Sequence, residues 1–157
     1  MKAIIIYYSL EGNTRFAANE LARLLDADIL ELVPQKPVKS KGFSKYIWGG
    51  RQVVMNSRPG LLPYAYDSSK YQLTILASPI WASSFAPAIS TFLDENRLEG
   101  DLALLCCHEG GGTQRAYDKI TNALPECRLV STLDLLSPLK NKEEAIRKIE
   151  QFQKTLK

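Results

Sequence analysis

The sequence predicts an α/β domain in which one parallel sheet carries helices on both faces. Five apolar runs alternate along the chain with segments whose apolar residues recur at helical spacing. The runs are continuously apolar, which is typical of parallel strands that are buried on both faces. The chain has 157 residues, of which 45% are hydrophobic, so we expect a single domain over residues 1–157 with one substantial core.

The apolar runs define the expected strands. They are Lys2 to Tyr8, Asp28 to Val33, Gln72 to Ala77, Leu102 to Cys107, and a fifth near Arg128 to Leu136. Helices are expected over Thr14 to Leu25, about Phe85 to Asn96, about Thr113 to Leu124, and Lys142 to Leu156. The last helix follows Asn141, a good N-cap residue, and places Ile149 and Phe152 on one apolar face.

The segment 34–70 interrupts this alternation and is strongly basic. Phe43 to Ser57 is apolar enough for a helix, but Gly49-Gly50 should break or bend it, and Pro59 and Pro63 indicate extended coil. We therefore expect an irregular excursion between strands two and three. From Pro34 to Tyr66 the charged residues are Lys36, Lys39, Lys41, Lys45, Arg51 and Arg58, so this part carries +6 and the rest of the chain −3 against a total of +3. Such a surface attracts anions, with a solvated loop and helix face as the equally weighted alternative.

Cysteine and histidine usage excludes several kinds of site. Cys106, Cys107 and Cys127 have neither a disulfide pattern nor metal-ligand spacing, so we expect buried, reduced thiols. His108 is the one histidine, which excludes multi-histidine metal centres and disfavours a Ser-His-Asp triad. The first apolar run is too short for a signal peptide or a membrane span, and we expect a cytoplasmic protein without a metal site.

The turn after the first strand carries the most specific functional signal. Ser9-Leu10-Glu11-Gly12-Asn13-Thr14 links a buried strand to a helix, and its backbone N–H groups and hydroxyls can converge on a phosphate. Gly12 allows a close turn, and Asn13 either caps the helix or holds the loop. The sequence lacks both G-x-x-x-x-G-K-[ST] and G-x-G-x-x-G, so nucleotide hydrolysis and a Rossmann fingerprint are unsupported. The alternative is an ordinary strand-to-helix turn.

Ser-x-x-Gly-Asn-Thr at the end of the first strand resembles the phosphate loop of flavodoxins, which bind flavin mononucleotide (FMN). The resemblance implies a three-layer domain with a five-stranded parallel sheet in the order 2-1-3-4-5. In sheets of this kind ligands bind beyond the carboxyl ends of the strands, at the point where the strand order reverses. The phosphate-like turn lies at the end of strand one, as this rule requires.

Two further loops are similar to those that hold the flavin ring in this family. Ser78-Pro79-Ile80-Trp81-Ala82 follows strand three, and Trp81 is expected to lie in a turn and stack on the ring, with a core tryptophan as the alternative. His108-Glu109-Gly110-Gly111-Gly112 follows strand four, and its glycines let the backbone approach the ring. These glycines could otherwise form a flexible connector.

The chain departs from the family pattern at two positions. The third loop has no aromatic residue before Tyr117, so Tyr46, Trp48 or Tyr66 are the candidates to cover the second face of the flavin. Glu11 stands where many flavodoxins have threonine or serine, and we expect its side chain to turn outward while its N–H still serves the loop.

The resemblance implies an electron carrier that moves electrons between a reductase and an acceptor through FMN, with no catalytic side chain. The alternative is an FMN-dependent reductase that takes hydride from NAD(P)H and reduces a quinone-type acceptor. A flavodoxin-shaped binding module without redox work is the third possibility. The basic stretch from Lys36 to Arg58 is expected to dock acidic redox partners or the phosphate of NADPH. No nucleic acid or membrane partner is expected.

Overall fold

Five parallel strands form the centre of the structure, a computed structural model that describes residues 1–36 and 57–157. The strands are β1 (Ala3–Tyr7), β2 (Asp28–Glu31), β3 (Leu73–Trp81), β5 (Gly100–His108) and β6 (Cys127–Leu136), and the short β4 (Ser84–Phe85) pairs antiparallel with β3. Their order is β2-β1-β3-β5-β6. The predicted parallel order 2-1-3-4-5 is therefore confirmed, since the additional β4 lies off this path.

A hairpin at the end of β3 corrects the prediction for this region. Strand three was expected to end at Ala77, but β3 continues to Trp81 and turns back through Ala82 and Ser83 into β4. Both turn residues have positive φ, 49° and 57°, as the central residues of type I′ hairpin turns do. Such turns usually contain Asn-Gly, and Ala-Ser gives no comparable signal, which explains why the hairpin was missed.

In the described parts of the chain, four helices cover the sheet, two on each face. They are α1 (Asn13–Leu25), α2 (Pro87–Glu95), α3 (Thr113–Ala123) and α4 (Lys142–Thr155), each within two residues of the predicted bounds. Leu21 of α1 and Phe152 of α4 belong to one buried cluster, whereas Phe92 of α2 and Tyr117 of α3 belong to the other. The three-layer architecture is thus confirmed.

Adjacent cysteines of β5 show that one strand contributes side chains to the buried clusters on both faces of the sheet. Cys106 packs into the cluster under α2 and α3, and Cys107 packs into the cluster under α1 and α4. Successive strand residues point to opposite faces, so this division is what the alternation of the strand requires. Both thiols are buried and unbridged, as predicted, whereas Cys127, also predicted to be buried, is only partly buried.

The described part of the excursion runs as coil along the sheet edge and over α2. Pro34 and Leu61 form an isolated antiparallel bridge, and the Thr91 hydroxyl donates to the Pro59 carbonyl at 2.9 Å. A short 3-10 turn, Ser68–Lys70, precedes β3. The predictions for Phe43 to Ser57, Tyr46, Trp48, Lys39, Lys41, Lys45 and Arg51 lie partly or wholly outside the described residues. Among the described helices, none has the length and apolar character needed to cross a membrane.

Candidate functional site

The three predicted loops meet at one edge of the sheet. The first loop (residues 9–14) follows β1, the second loop (residues 78–83) contains the end of β3, and the third loop (residues 108–113) follows β5. Because β1, β3 and β5 are neighbouring parallel strands, their carboxyl ends are adjacent. This is the edge at which open α/β sheets bind their ligands.

The first loop leaves the N-terminus of α1 without a side-chain cap. Gly12 is the N-cap residue in the left-handed conformation, with φ 98° and ψ −9°, and its N–H donates to Ser9 Oγ at 3.2 Å. The first turn of α1 carries no acidic residue. In contrast, α4 is capped by Asn141 and has acidic residues in its first turn. The α1 terminus therefore has the dipole and N–H groups that favour an anion.

The side chains of the first loop have different roles. Asn13 Oδ1 accepts from the Leu139 N–H at 3.0 Å, so Asn13 holds the loop and does not cap the helix. Thr14 is 1% exposed, and its hydroxyl hydrogen-bonds to the Cys107 thiol. The Thr14 hydroxyl is thus directed inward. Glu11 is exposed, as expected, so the phosphate donors that the loop offers are backbone N–H groups and the Ser9 hydroxyl.

The second loop buries two of its predicted residues, Ser78 and Trp81. Ser78 is fully buried, and its Oγ accepts from the Ala86 N–H and donates to the Pro79 carbonyl, both at 2.8 Å. Trp81 ends β3 and is 8% exposed, so the prediction that it lies in a turn is wrong. Its ring meets Tyr8 edge-on, with centroids 5.4 Å apart. Trp81 therefore lies in the core, as the alternative interpretation has it. Stacking of Trp81 on a flavin stays a prediction.

The third loop packs directly on the second. A Cβ on Gly112 would lie 2.8 Å from Ser83 Oγ and 3.3 Å from Ser83 Cα, and Gly112 has φ 81°. A Cβ on Gly110 or Gly111 would meet nothing within 4 Å. The two loops therefore touch at Gly112, and the backbone at 110–111 faces open space, where a flat ligand can approach it.

His108 joins the third loop to β6 through its side chain. Its Nδ1 accepts from the Gly111 N–H at 3.1 Å, and its Nε2 lies 3.4 Å from Asp134 Oδ2. The imidazole is mostly buried, with 13% of the side chain exposed. The sequence placed His108 in the loop but did not reveal this bridging role.

Buried titratable groups beneath the loops are held neutral. Tyr117 donates its hydroxyl proton to the Leu133 carbonyl at 2.7 Å, so the Cys106 thiol, 3.0 Å away, is the donor to the Tyr117 oxygen. Burial raises the pKa of Cys106 and of Cys107 to about 12. These thiols are therefore not thiolate nucleophiles near neutral pH.

Tyr66, one of the three candidates for covering the flavin, lies elsewhere, and so does Tyr117. Tyr117 is 5% exposed and packs in the core. Tyr66 stacks on Tyr71 at 6.2 Å, and Tyr71 donates to Asp28 at the start of β2, so Tyr66 lies toward the opposite edge of the sheet. Tyr66 is thus wrong as a candidate, and Tyr46 and Trp48 lie outside the described residues.

Sequence reasoning missed two residues that support the loops. The Leu139 N–H, in the β6–α4 connection, bonds to Asn13 across 126 positions. Lys119 Nζ on α3 donates to Ser84 Oγ at 2.6 Å, and burial, followed by the charge of Arg115, lowers the pKa of Lys119. Neither contact belongs to a local motif, so no sequence signal indicates it.

A cavity of about 350 Å³ lies beside the β6–α4 connection. Its lining includes Leu136, Lys140, Asn141, Glu144 and Lys148, and it contains no residue of the three loops. Lys148 pairs with Glu144 at 3.5 Å. The cavity is therefore separate from the candidate site.

Residues 2–151 match the flavodoxin family model. The fold is similar to a flavoprotein in complex with FMN from Lactobacillus acidophilus, at 20% identity, with 88% of this chain and 96% of that chain covered and a TM-score of 0.70. It is also similar to oxidised flavodoxin 2 from Bacillus cereus, at 17% identity, with 99% and 97% covered and a TM-score of 0.62. A protein provisionally described as a flavoprotein from Bacteroides uniformis has 20% identity, 95% and 97% coverage and a TM-score of 0.81. No curated protein matches the chain.

Proposed function

Because this chain belongs to the flavodoxin family, we propose that it binds FMN and carries electrons between a reductase and an acceptor protein. The observation that supports this most is the uncapped N-terminus of α1 behind the left-handed Gly12, at the carboxyl end of β1. A dianionic phosphate would satisfy the N–H groups there. The second and third loops lie on the adjoining strands, where the ring of the same molecule would extend.

Different loops would bind different parts of FMN. The first-loop N–H groups and the Ser9 hydroxyl would hold the phosphate, and the backbone at 110–111 and at Ala82 would contact the ring. When bound, FMN supplies the electron-transfer chemistry, and the protein supplies orientation and electrostatics. The buried thiols and Tyr117 stay neutral and serve packing, so this function requires no acid, base or nucleophile from the chain.

An FMN-dependent NAD(P)H reductase is the second candidate function. Lys119 and Arg115 carry positive charge on α3 beside the β3–β4 hairpin, where a phosphorylated nicotinamide cofactor would find a counter-charge. The sequence pI near 8.7 also favours anionic ligands or partners. In the carrier function, an acidic protein partner would bind to this same surface on α3 and to the basic stretch from Lys36 to Arg58.

Anaerobic reduction of the FMN-loaded protein distinguishes the two functions. NADPH alone should leave the flavin absorbance near 450 nm unchanged, and addition of a catalytic amount of an NADPH-dependent flavodoxin reductase should bleach it. Rapid bleaching by NADPH alone would instead establish the reductase. A flavin that neither treatment reduces would contradict both redox functions and favour a binding module.

The charge of the docking surface gives a second test of the carrier function. Exposed charges are screened over about 8 Å at physiological ionic strength, so raised salt should slow electron transfer to an acidic partner. Changing Lys39, Lys41 and Lys45 together to Glu should also slow electron transfer to this partner at low salt, compared with the wild type. Electron-transfer rates that respond neither to salt nor to the triple change would indicate that these lysines are only a solvated surface.

A further inference from the structure

We propose that His108 positions the third loop through Nδ1, and that protonation of this imidazole releases the loop and weakens FMN binding. The inference rests on the proposed function, because it concerns the loop that would contact the flavin ring. His108 is in this respect a positioning residue, since its side chain acts on the ligand through Gly111.

The hydrogen bonds fix the protonation state of His108 in the ordered loop. The Gly111 N–H can only donate, so Nδ1 at 3.1 Å must present its lone pair. A neutral imidazole then carries its proton on Nε2, which points to Asp134 Oδ2 at 3.4 Å. The observed loop conformation is therefore that of neutral His108.

Protonation would place two donors against each other. Nδ1–H would face the Gly111 N–H, and the loop would have to move to separate them. The His108 backbone is held by the Ser137 N–H, which donates to its carbonyl at 3.0 Å, so the movement falls on residues 109–112. Gly111, with φ 117°, and the open space beside it allow this movement.

The titratable neighbours of His108 lie on β5, β6, α3 and the third loop. Asp134 on β6 faces the imidazole, Cys106 on β5 and Tyr117 on α3 are near enough to Asp134 to respond to its charge, and Glu109 follows His108 in the loop and is exposed. Burial raises the pKa of Cys106 to about 12 and also raises that of Tyr117, so both stay neutral between pH 5 and 8. Among the residues that the structure describes, Asp134 is the one ion-pair partner of the imidazole. Histidine is the side chain whose charge ordinarily changes in this range.

Linkage converts this geometry into a pH dependence of FMN affinity. If FMN binds the ordered loop, binding favours neutral His108 and releases a proton wherever His108 is protonated in the free protein. One coupled proton changes the dissociation constant by at most tenfold per pH unit. We expect the constant to rise at least fivefold between pH 7.5 and 5.5 because of His108 alone.

Titrations of apoprotein with FMN, followed by flavin fluorescence, test the inference with a matched variant. In His108→Asn the side-chain Oδ1 can accept the Gly111 N–H as Nδ1 does, but it does not titrate. The FMN phosphate itself changes charge near pH 6, and the variant carries the same contribution. The wild-type affinity should therefore fall more steeply than that of His108→Asn, by the expected fivefold. Parallel pH curves would overturn the inference.

The Gly111 amide reports on the loop without FMN. In NMR spectra of the apoprotein its chemical shift should change together with the protonation of the His108 imidazole. A Gly111 amide that stays fixed while His108 protonates would overturn the inference. Failure of FMN to bind at any pH would instead count against the proposed function, and the Gly111 measurement would still decide the role of His108.

Discussion

At the scale of single residues, the glycines of the third loop differ in what they require. Gly112 has φ 81° and would place a Cβ 2.8 Å from Ser83 Oγ, whereas a Cβ on Gly110 meets nothing within 4 Å. Gly112→Ala should therefore lower the free energy of unfolding of the apoprotein by about 1 to 3 kcal/mol. Gly110→Ala, in the same loop, should stay within about 0.5 kcal/mol. Urea unfolding of both variants checks this, and equal effects would contradict the packing of Gly112 on the second loop.

The hairpin residue Ala82 should respond to glycine with the opposite sign to an ordinary alanine. Its φ of 49° lies in the left-handed region, which costs an L residue roughly 1 to 2 kcal/mol. Ala82→Gly should therefore maintain or increase stability. Ala22→Gly, inside α1, should reduce it by about 0.5 to 1 kcal/mol. Thermal unfolding measures both, and a loss at Ala82 as large as that at Ala22 would contradict the strained turn.

The local motifs predicted backbone conformation more reliably than they predicted side-chain hydrogen bonds. Gly12 was predicted to form a tight turn and does so with positive φ. The hydroxyls of Ser78 and Thr14 bond to Ala86 and Cys107, and contact of these two residues with the cofactor stays a prediction. A hydroxyl bonds to whatever the folded chain places beside it, and that neighbour is not encoded in the local motif.

At the scale of elements, Asn13 connects the start of α1 to the β6–α4 connection. Its Oδ1 accepts the Leu139 N–H at 3.0 Å, and no side chain caps α1. Asn13→Ala should lower the free energy of unfolding by about 0.5 to 1.5 kcal/mol. Asn19→Ala, exposed on the same helix, is the control and should have little effect. Equal stability of the two variants in urea would show that the Asn13 contact does not stabilise the fold.

Strands and helices were predictable because their apolar patterns are long and regular. All four helices and all five parallel strands were found, and α4 has the expected Asn141 cap. The β3–β4 hairpin was missed because Ala82-Ser83 adopts a turn that these residues rarely form alone. Contacts with the rest of the fold hold the turn there, including the packing of Gly112 on Ser83.

At the scale of the whole molecule, the buried thiols predict a loss of stability in alkaline solution. Burial raises the pKa of Cys106 and of Cys107 from 9.0 to about 12. Their contribution is present below pH 9 and is lost as the pH rises from 9 toward 12, because the unfolded chain ionises first. Within this pH range, ionisation of each thiol lowers the free energy of unfolding by about 1.4 kcal/mol per pH unit. In urea unfolding at pH 8 to 10.5, Cys107→Ala should show a shallower decline than wild type, and identical slopes would contradict the buried, neutral thiol.

The central claim is that the uncapped start of α1 holds the phosphate of FMN. The most direct measurement compares the binding of FMN and riboflavin, which differ by that phosphate, to the apoprotein at pH 7.5 by fluorescence quenching. Two hydrogen bonds to a charged group are worth about 1.5 to 3 kcal/mol each, so FMN should bind at one-to-one stoichiometry and at least about 100-fold more tightly. Equal affinities for the two flavins would contradict the assignment of the first loop.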